Sequence, residues 1–302
     1  MDRTLGREFE AIARDSVSGA ADLTLRAAAA LDAWLRRREP SAMDVLLAAR
    51  RACEAQPSMA PMLRLANDLA AAAESPRRLG DAQRALRGVT RTLRRAPQSI
   101  ARHMSVLLRA PVKWQVVTYS ASSTVLAALR RARRRIGSVF CSEGRPRFEG
   151  RALAVQLARA RIPVVMATDA ALLTEPPLGP GTAVVLGADA VLTGYFINKV
   201  GTSLLVDRAV AAGAPVFVLA DTMKFWPESP FRSTVWRWTY GHPHEVWTGA
   251  PRLVRSANPT FDATRLRPGI HVVTEHGPWT TPRVRRHLER LRISRNLLAA
   301  LD

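Results

Sequence analysis

The spacing of hydrophobic residues divides the chain into two parts near residue 110. In the first part apolar residues recur every three or four positions, as in "ALDAWLRRREPSAMDVLLAARRA" and "APMLRLANDLAAAAE", which is the period of an amphipathic helix. Pro40 and Ser41 interrupt the first stretch, and Ser41 is a suitable N-cap for the helix that follows. We therefore predict a helical domain over residues 1–110, with about five or six helices.

In the second part, short β-branched runs alternate with amphipathic stretches. The runs are "WQVVTYS", "GSVFCSE", "IPVVMATD", "TAVVLGAD", "PVFVLAD" and "GIHVVTEH". Between most of them lie helical segments such as "STVLAALRRARRR". Continuous apolar strands that alternate with helices are typical of a parallel sheet covered on both faces. Residues 111–302 are therefore predicted to form a Rossmann-like, doubly wound α/β domain of about six or seven strands.

Polar residues follow every one of these predicted strands. They are Thr118, Tyr119, Ser120, Ser142, Glu143, Thr168, Asp169, Asp189, Asp221, Thr274 and Glu275. Because ligands of doubly wound sheets bind beyond the carboxyl ends of the strands, we expect one site there. No GxGxxG pattern follows the first strand, so we do not expect a dinucleotide cofactor.

The stretch "GADAVLTGYFINKVGT" concentrates this chemistry. Asp189 is predicted to end a buried strand, and Asn198 and Lys199 to open a helix together with Gly201 and Thr202. A helix N-terminus with a lysine and a hydroxyl is suited to an anion such as phosphate. A carboxylate beside it suggests acid–base chemistry on a phosphorylated substrate. The alternative is a structural ion pair between Asp189 and Lys199; we favour the functional interpretation because several polar strand ends converge.

The charge of +20 modifies this interpretation little. All but three of the 45 basic residues are arginines spread along helices, where they are typical of a solvated face. The stretch "FRSTVWRWTYGH" could stack nucleobases, but we favour packing or a subunit interface and do not expect nucleic acid as a partner. The lysines are Lys113, Lys199 and Lys224, and the last two fall inside motif-like segments.

We do not expect a disulfide framework, a metal site, a signal peptide or a membrane-spanning segment. Cys53 and Cys141 cannot form a disulfide framework, and no Cys/His cluster suggests zinc. His242 and His244 have a spacing seen in metal sites, but no third ligand follows closely, so we predict a surface loop and no metal. The N-terminus lacks the apolar core of a signal peptide, and no apolar run approaches the ~20 residues that span a bilayer. We expect a cytoplasmic protein.

Five segments carry a family resemblance: "VVTYSASSTVLAAL", "SEGRPRFEGRALAVQLARARIPVVMATDAA", "GADAVLTGYFINKVGT", "PVFVLADTMKFWPE" and "NPTFDATRLRPGIHVVTEHGPWTTP". In order and spacing they resemble the superfamily that joins the alpha, beta and delta subunits of eukaryotic initiation factor 2B to methylthioribose-1-phosphate isomerase and ribose-1,5-bisphosphate isomerase. The resemblance is strongest over residues 110–285, and the ribose-1,5-bisphosphate isomerases are most similar through "KFWPE", "NPTFD" and Ser122-Ser123. It implies a homodimer or higher homo-oligomer, and no metal or organic cofactor.

The isomerases of this superfamily convert an aldose 1-phosphate into a ketose phosphate by opening the ring and moving hydrogen between C1 and C2. Matched residue by residue, the resemblance makes Asp189 the catalytic aspartate. It also implies that the substrate and phosphate oxygens are bound by Ser122, Ser123, Arg145, Asn198, Lys199 and Lys224.

Two positions depart from the isomerase pattern. Ser120 stands where the isomerases have their catalytic cysteine, and Ser18-Gly19 stands where they have a phosphate-binding Arg-Gly. A thiol ionises near pH 8.5 whereas a serine hydroxyl stays neutral, so Ser120 is a poorer acid. Cys141 could supply a thiol, but we favour an ordinary buried cysteine.

Two functions therefore remain open. One is an aldose–ketose isomerase acting on a ribose 1-phosphate type sugar phosphate. The other is a non-catalytic regulatory protein that binds a sugar phosphate or nucleotide, as the initiation factor subunits are.

Overall fold

The computed structural model describes residues 3–15, 18–37, 39–109 and 113–301. Within these ranges five helices precede the first strand: α1 (Arg3–Arg14), α2 (Ala20–Arg37), α3 (Ala42–Ala55), α4 (Ala60–Ala73) and α5 (Arg78–Leu107). Ser41 caps α3 as predicted, because its hydroxyl accepts from the Asp44 amide and the Asp44 carboxylate accepts from the Ser41 amide. No helix in these ranges is long and apolar enough to cross a membrane.

The predicted parallel sheet is present and has seven strands: β1 (Trp114–Thr118), β2 (Ile136–Ser142), β3 (Val164–Ala167), β4 (Thr182–Gly187), β7 (Val216–Leu219), β9 (Ile270–Thr274) and β10 (Gly277–Trp279). Their order in the sheet is β10-β9-β7-β4-β1-β2-β3. All neighbours are parallel except the pair β9 and β10. The fold class predicted from the alternating apolar runs is therefore confirmed.

The helices after residue 113 follow the predicted alternation with the strands. They are α6 (Ser123–Ala132), α7 (Glu149–Arg159), α8 (Asp169–Leu172), α9 (Thr202–Ala211), α10 (Pro243–Val246), α11 (Thr281–Arg290) and α12 (Arg295–Leu301). Apolar clusters pack on both faces of the large sheet, as expected for strands whose apolar residues run continuously.

The structure also contains a second, antiparallel sheet that was not predicted from the sequence. It consists of β5 (Ala190–Leu192), β6 (Tyr195–Lys199) and β8 (Phe261–Arg265), in that order. Asn198 and Lys199 therefore end β6 and do not open a helix, which corrects the prediction. Gly194, with φ of 80°, forms the turn between β5 and β6. The helix α9 begins at Thr202.

The core of the helical region extends into this small sheet. Ile197 and Trp226 belong to the same buried cluster as the apolar residues of the first four helices. Trp236 is also part of it, and its ring N–H donates to the carbonyl of Ser58 at 3.3 Å. Trp236 therefore serves packing, whereas Phe231 in the same segment is 65% exposed. The predicted domain boundary at residue 110 falls outside the described residues, so the division into two domains stays a prediction.

Candidate functional site

Asp189 lies two residues beyond β4, where the chain passes from the large sheet to the small one. Its amide donates to the carbonyl of Ile197 at 2.8 Å, which ties it to β6. Burial raises the pKa of the Asp189 carboxyl, and the nearby Lys224 and Lys199 oppose that rise. The structure thus brings together the aspartate and the two lysines that the sequence analysis singled out.

Lys224 stands between two carboxyl groups. Its ammonium donates to the carbonyl of Ala188, directly before Asp189. Burial raises the pKa of Asp221 as well, against the effect of Lys224 and with a further rise from Glu275. Asp221 also caps the 3-10 turn that carries Lys224, since its carboxylate accepts from the amide of Met223 at 3.1 Å. Lys224 is therefore held by the backbone between Asp189 and Asp221.

The Ser120 hydroxyl contacts Glu149, a residue that no sequence pattern marked as part of the site. Ser120 lies two residues after β1 with a φ of 62°, and its hydroxyl donates to Glu149 Oε1 at 3.2 Å. The Lys199 ammonium lies 2.8 Å from the same oxygen. Glu149 is the first residue of α7, and in the sequence it is merely an acidic residue suited to a helix start. No local pattern indicates that it joins Lys199, fifty positions away.

The start of α9 differs from the open anion site that was predicted. The amides of Gly201 and Ser203 donate to Asp262 Oδ2 at 2.9 and 3.1 Å, and the Ser203 hydroxyl donates to it at 2.9 Å. The pairing of β8 with β6 places Asp262 opposite Asn198, within reach of these amides. An internal carboxylate therefore occupies the position proposed for phosphate.

The Asn198 side chain is used within the same turn. Its amide donates to the Thr202 hydroxyl at 3.0 Å, and that hydroxyl donates to the carbonyl of Lys199 at 2.6 Å. Both Asn198 and Thr202 are buried. These two contacts hold Lys199 in place at the end of β6.

Tyr119 lies buried between this turn and three carboxylates. A Cβ atom at Gly201 would lie 2.4 Å from the Tyr119 hydroxyl, and Gly201 has a φ of 100°. Both the close approach and the positive φ require glycine there. The pKa of Tyr119 is raised by burial and by Asp169, Asp262 and Glu149. The hydroxyl therefore stays protonated at neutral pH and can act as a hydrogen-bond donor.

Arg145 lines a cavity of about 340 Å³ beside this group. The backbone amide of Arg145 donates to Asp169 Oδ2 at 2.7 Å, while its guanidinium lies 5.0 Å from the centre of the Phe148 ring. Tyr119 and Gly201 share the cavity wall. Because Arg145 is exposed, its guanidinium is accessible to a ligand in the cavity.

The two serines of the Ser-Ser pair lie at the start of α6. Ser122 is the N-cap, and its hydroxyl accepts from the amide of Val125 at 3.4 Å. A Cβ atom at Gly187 would lie 2.8 Å from that hydroxyl, so the start of α6 contacts the end of β4. Ser123 is the exposed first residue of the helix. The pair is therefore close to the segment that leads to Asp189.

Among the described residues, the hydrogen bonds of Ser18 go to Asp15 and not to this group. The amide and the hydroxyl of Ser18 both donate to the Asp15 carboxylate at 2.9 Å. That carboxylate also accepts from Arg26. The polar groups of Ser18 thus serve the junction between α1 and α2.

The remaining candidates have ordinary surroundings. Cys141 is buried, and burial raises the pKa of its thiol to about 11, so it stays protonated at neutral pH. His242 and His244 are exposed as predicted, but they lie at the start of the short helix α10 and not in a loop; their rings stack with centroids 4.9 Å apart. Among the described residues no group of three or more His, Cys, Asp or Glu side chains could hold a metal ion.

Curated relatives match about half of the chain. It is 34% identical over 173 residues to the ribose 1,5-bisphosphate isomerase of Archaeoglobus fulgidus, covering 54% of this chain and 53% of the relative. It is 37% identical over 113 residues to a putative translation initiation factor eIF-2B subunit 2-like protein of Pyrococcus furiosus, covering 36% of this chain and 40% of the relative. The chain thus spans about half the length of these relatives.

Solved structures match almost the whole fold. The translation initiation factor eIF-2B of Pyrococcus horikoshii superposes with a TM-score of 0.76 at 24% identity, covering 94% of this chain and 99% of that one. The 5-methylthioribose 1-phosphate isomerase of the same organism has a TM-score of 0.66 at 18% identity, covering 95% and 87%. The initiation factor 2 subunit family matches residues 9–281. Since this match covers most of the sequence, the chain belongs to the initiation factor 2 subunit family.

Proposed function

We propose that this protein is an aldose–ketose isomerase acting on a ribose 1-phosphate type sugar phosphate, with Asp189 as its proton-transfer group. The supporting observation is the environment of Asp189, which combines a burial-raised pKa with two nearby lysines at the carboxyl end of a central strand. A carboxyl group whose pKa is raised keeps its proton to a higher pH than usual, which suits it to act as a general acid. The relatives named ribose 1,5-bisphosphate isomerase support the substrate class.

In this proposal the protonated Asp189 donates to the ring oxygen of the sugar as the bond between C1 and that oxygen breaks. The hydrogen on C2 then moves to the electron-deficient C1 as a hydride, with its bonding electron pair. The C2 hydroxyl returns its proton to Asp189, and a carbonyl remains at C2. The start of α6, with Ser122 and Ser123, takes the phosphate. This placement is supported by the contact of Ser122 with the end of β4 and by the affinity of helix N-termini for phosphate.

A second candidate is a regulatory protein that binds a sugar phosphate or nucleotide without turnover. The observation that favours it is the identity of Ser120, because serine lacks the ionisable thiol of the isomerases' cysteine. The Ser120 hydroxyl instead donates to Glu149. Both candidates bind a phosphorylated ligand, and turnover through Asp189 is what distinguishes the isomerase from the regulatory protein. Both are compatible with a homo-oligomer, which we also propose.

The deciding experiment measures ketose formation from ribose 1,5-bisphosphate and 5-methylthioribose 1-phosphate, with ligand-induced shifts in the melting temperature followed in parallel. We expect turnover by the wild type and a loss of about a thousandfold or more for Asp189→Asn, because an amide cannot transfer the proton. The variant should keep its ligand-induced stabilisation. Stabilisation of the wild type without turnover would favour the regulatory candidate, and normal turnover by Asp189→Asn would refute the mechanism.

A further inference from the structure

We infer that Glu149 determines ligand specificity: its carboxylate excludes phosphate from Lys199 and leaves this position for a sugar hydroxyl. The inference deepens the proposed function, on which its sugar ligand rests. Its starting point is the shared oxygen Oε1, which lies 2.8 Å from the Lys199 ammonium and accepts from the Ser120 hydroxyl at 3.2 Å. The positive charge that would attract phosphate is thus already paired with an internal anion.

The surrounding backbone is shaped around this carboxyl group. Gly144 has a φ of 78°, which favours glycine, and a Cβ atom there would lie 2.9 Å from the Glu149 carboxyl carbon and 3.0 Å from Oε2. The amide of Gly144 is held by Asp169 Oδ1 at 2.9 Å. At the other end, Gly150 packs directly against the carbonyl of Ser142. The Glu149 carboxyl group thus lies against the Gly144 backbone, and the backbone beside Glu149 packs against the end of β2. Both contacts restrict the space into which an incoming anion could displace this side chain.

Charge explains why this arrangement selects between ligand groups. A phosphate carries about −1.5 to −2 charges at neutral pH, and beside Glu149 it would meet repulsion of the same order as its attraction to Lys199. A hydroxyl is neutral and both donates and accepts, so it can accept from Lys199 and donate to the carboxylate. Glu149 Oε2 is buried and has no hydrogen-bond partner among the described residues, which leaves it free to accept.

The test is calorimetric titration with inorganic phosphate and with ribose 1-phosphate. Glu149→Gln keeps the size of the side chain and an acceptor for Ser120 but removes the negative charge. We expect at least a tenfold gain in affinity for inorganic phosphate and a lower preference for ribose 1-phosphate over inorganic phosphate. Lys199→Ala in the Glu149→Gln background should abolish the gain, as a double-mutant cycle requires.

Glu143→Gln is the matched control, because it removes one negative charge from the same segment. Glu143 pairs with Arg151 at 3.6 Å and makes no ion pair with Lys199 among the described residues, so its loss should leave phosphate affinity unchanged. Glu149→Ala serves as a second variant should Glu149→Gln fail to fold. An unchanged or weaker phosphate affinity in the Glu149 variants, or a gain that survives Lys199→Ala, would overturn the inference.

These outcomes are separable from those of the proposed function. Turnover by the wild type tests the isomerase proposal, whereas phosphate affinity in the Glu149 variants tests the specificity proposal. A gain in phosphate affinity without any wild-type turnover would retain the role of Glu149 and reject the isomerase. Wild-type turnover without a gain in phosphate affinity would support the isomerase and reject this role of Glu149.

Discussion

Gly88 in the helical region and Gly150, at the start of α7 beside the end of β2, have opposite surroundings. Gly88 lies on the exposed side of α5, and a Cβ atom added there would meet nothing within 4 Å. A Cβ atom at Gly150 would lie 1.8 Å from the carbonyl oxygen of Ser142. Gly88 therefore has open space around it, whereas Gly150 lies where two backbone segments are in direct contact. The second position tolerates far less change.

The largest effect is therefore expected for Gly150→Ala. The added methyl group would collide with the backbone of β2, and the first turn of α7 would have to move away from the sheet. We expect a loss of more than about 3 kcal/mol in the free energy of unfolding, or failure to fold. Urea denaturation followed by circular dichroism measures the loss. A loss below about 1 kcal/mol would contradict the close packing of α7 on β2.

An intermediate effect is expected for Asp189→Asn, and it depends on pH. Because burial raises the pKa of Asp189, the folded chain binds this proton more tightly than the unfolded chain. The carboxyl group is therefore destabilising at neutral pH, and its cost is removed as the pH falls below the raised pKa toward the ordinary value near 4. The variant should have a higher free energy of unfolding than the wild type at pH 8, and the difference should be smaller at pH 4.

The measurement for Asp189→Asn is the difference in unfolding free energy between variant and wild type across this pH range. Taking the difference isolates Asp189, since burial also raises the pKa of Asp221 and Asp262. Asp207→Asn, which changes an exposed aspartate, should show no comparable trend. A variant that is less stable at pH 8 than at pH 4, relative to the wild type, would show that Lys199 and Lys224 outweigh burial.

The smallest effect is expected for Gly88→Ala. The residue lies in the interior of α5, has open space around its Cα atom and needs no positive φ. Alanine should stabilise the helix by roughly 0.5–1 kcal/mol, because it lowers the conformational entropy of the unfolded chain. Thermal unfolding should show a higher melting temperature. A lower melting temperature would contradict this prediction and would indicate that another chain covers α5 at Gly88.

The same contrast separates the residues that could be predicted from those that could not. Asp189 and Lys224 follow apolar runs, so their positions beyond strands of a parallel sheet could be read from the sequence. Glu149 and Asp262 follow no such rule. Each meets its partners through contacts between segments about fifty or sixty positions apart, and sequence spacing carries no information about such contacts.

The sequence alone determined the fold class, because hydrophobic period and strand-end polarity act over a few residues. It specified the helical region, the cap at Ser41 and the convergence of polar residues at one edge of the large sheet. Only the tertiary structure decided which anions occupy that edge. The antiparallel pairing of β6 with β8 brings Asp262 to the amides of α9, and the packing of α7 against β2 brings Glu149 to Lys199. Lysines and helix amides attract any carboxylate that lies within hydrogen-bonding distance. Which carboxylate lies there depends on how distant segments pack in the folded chain.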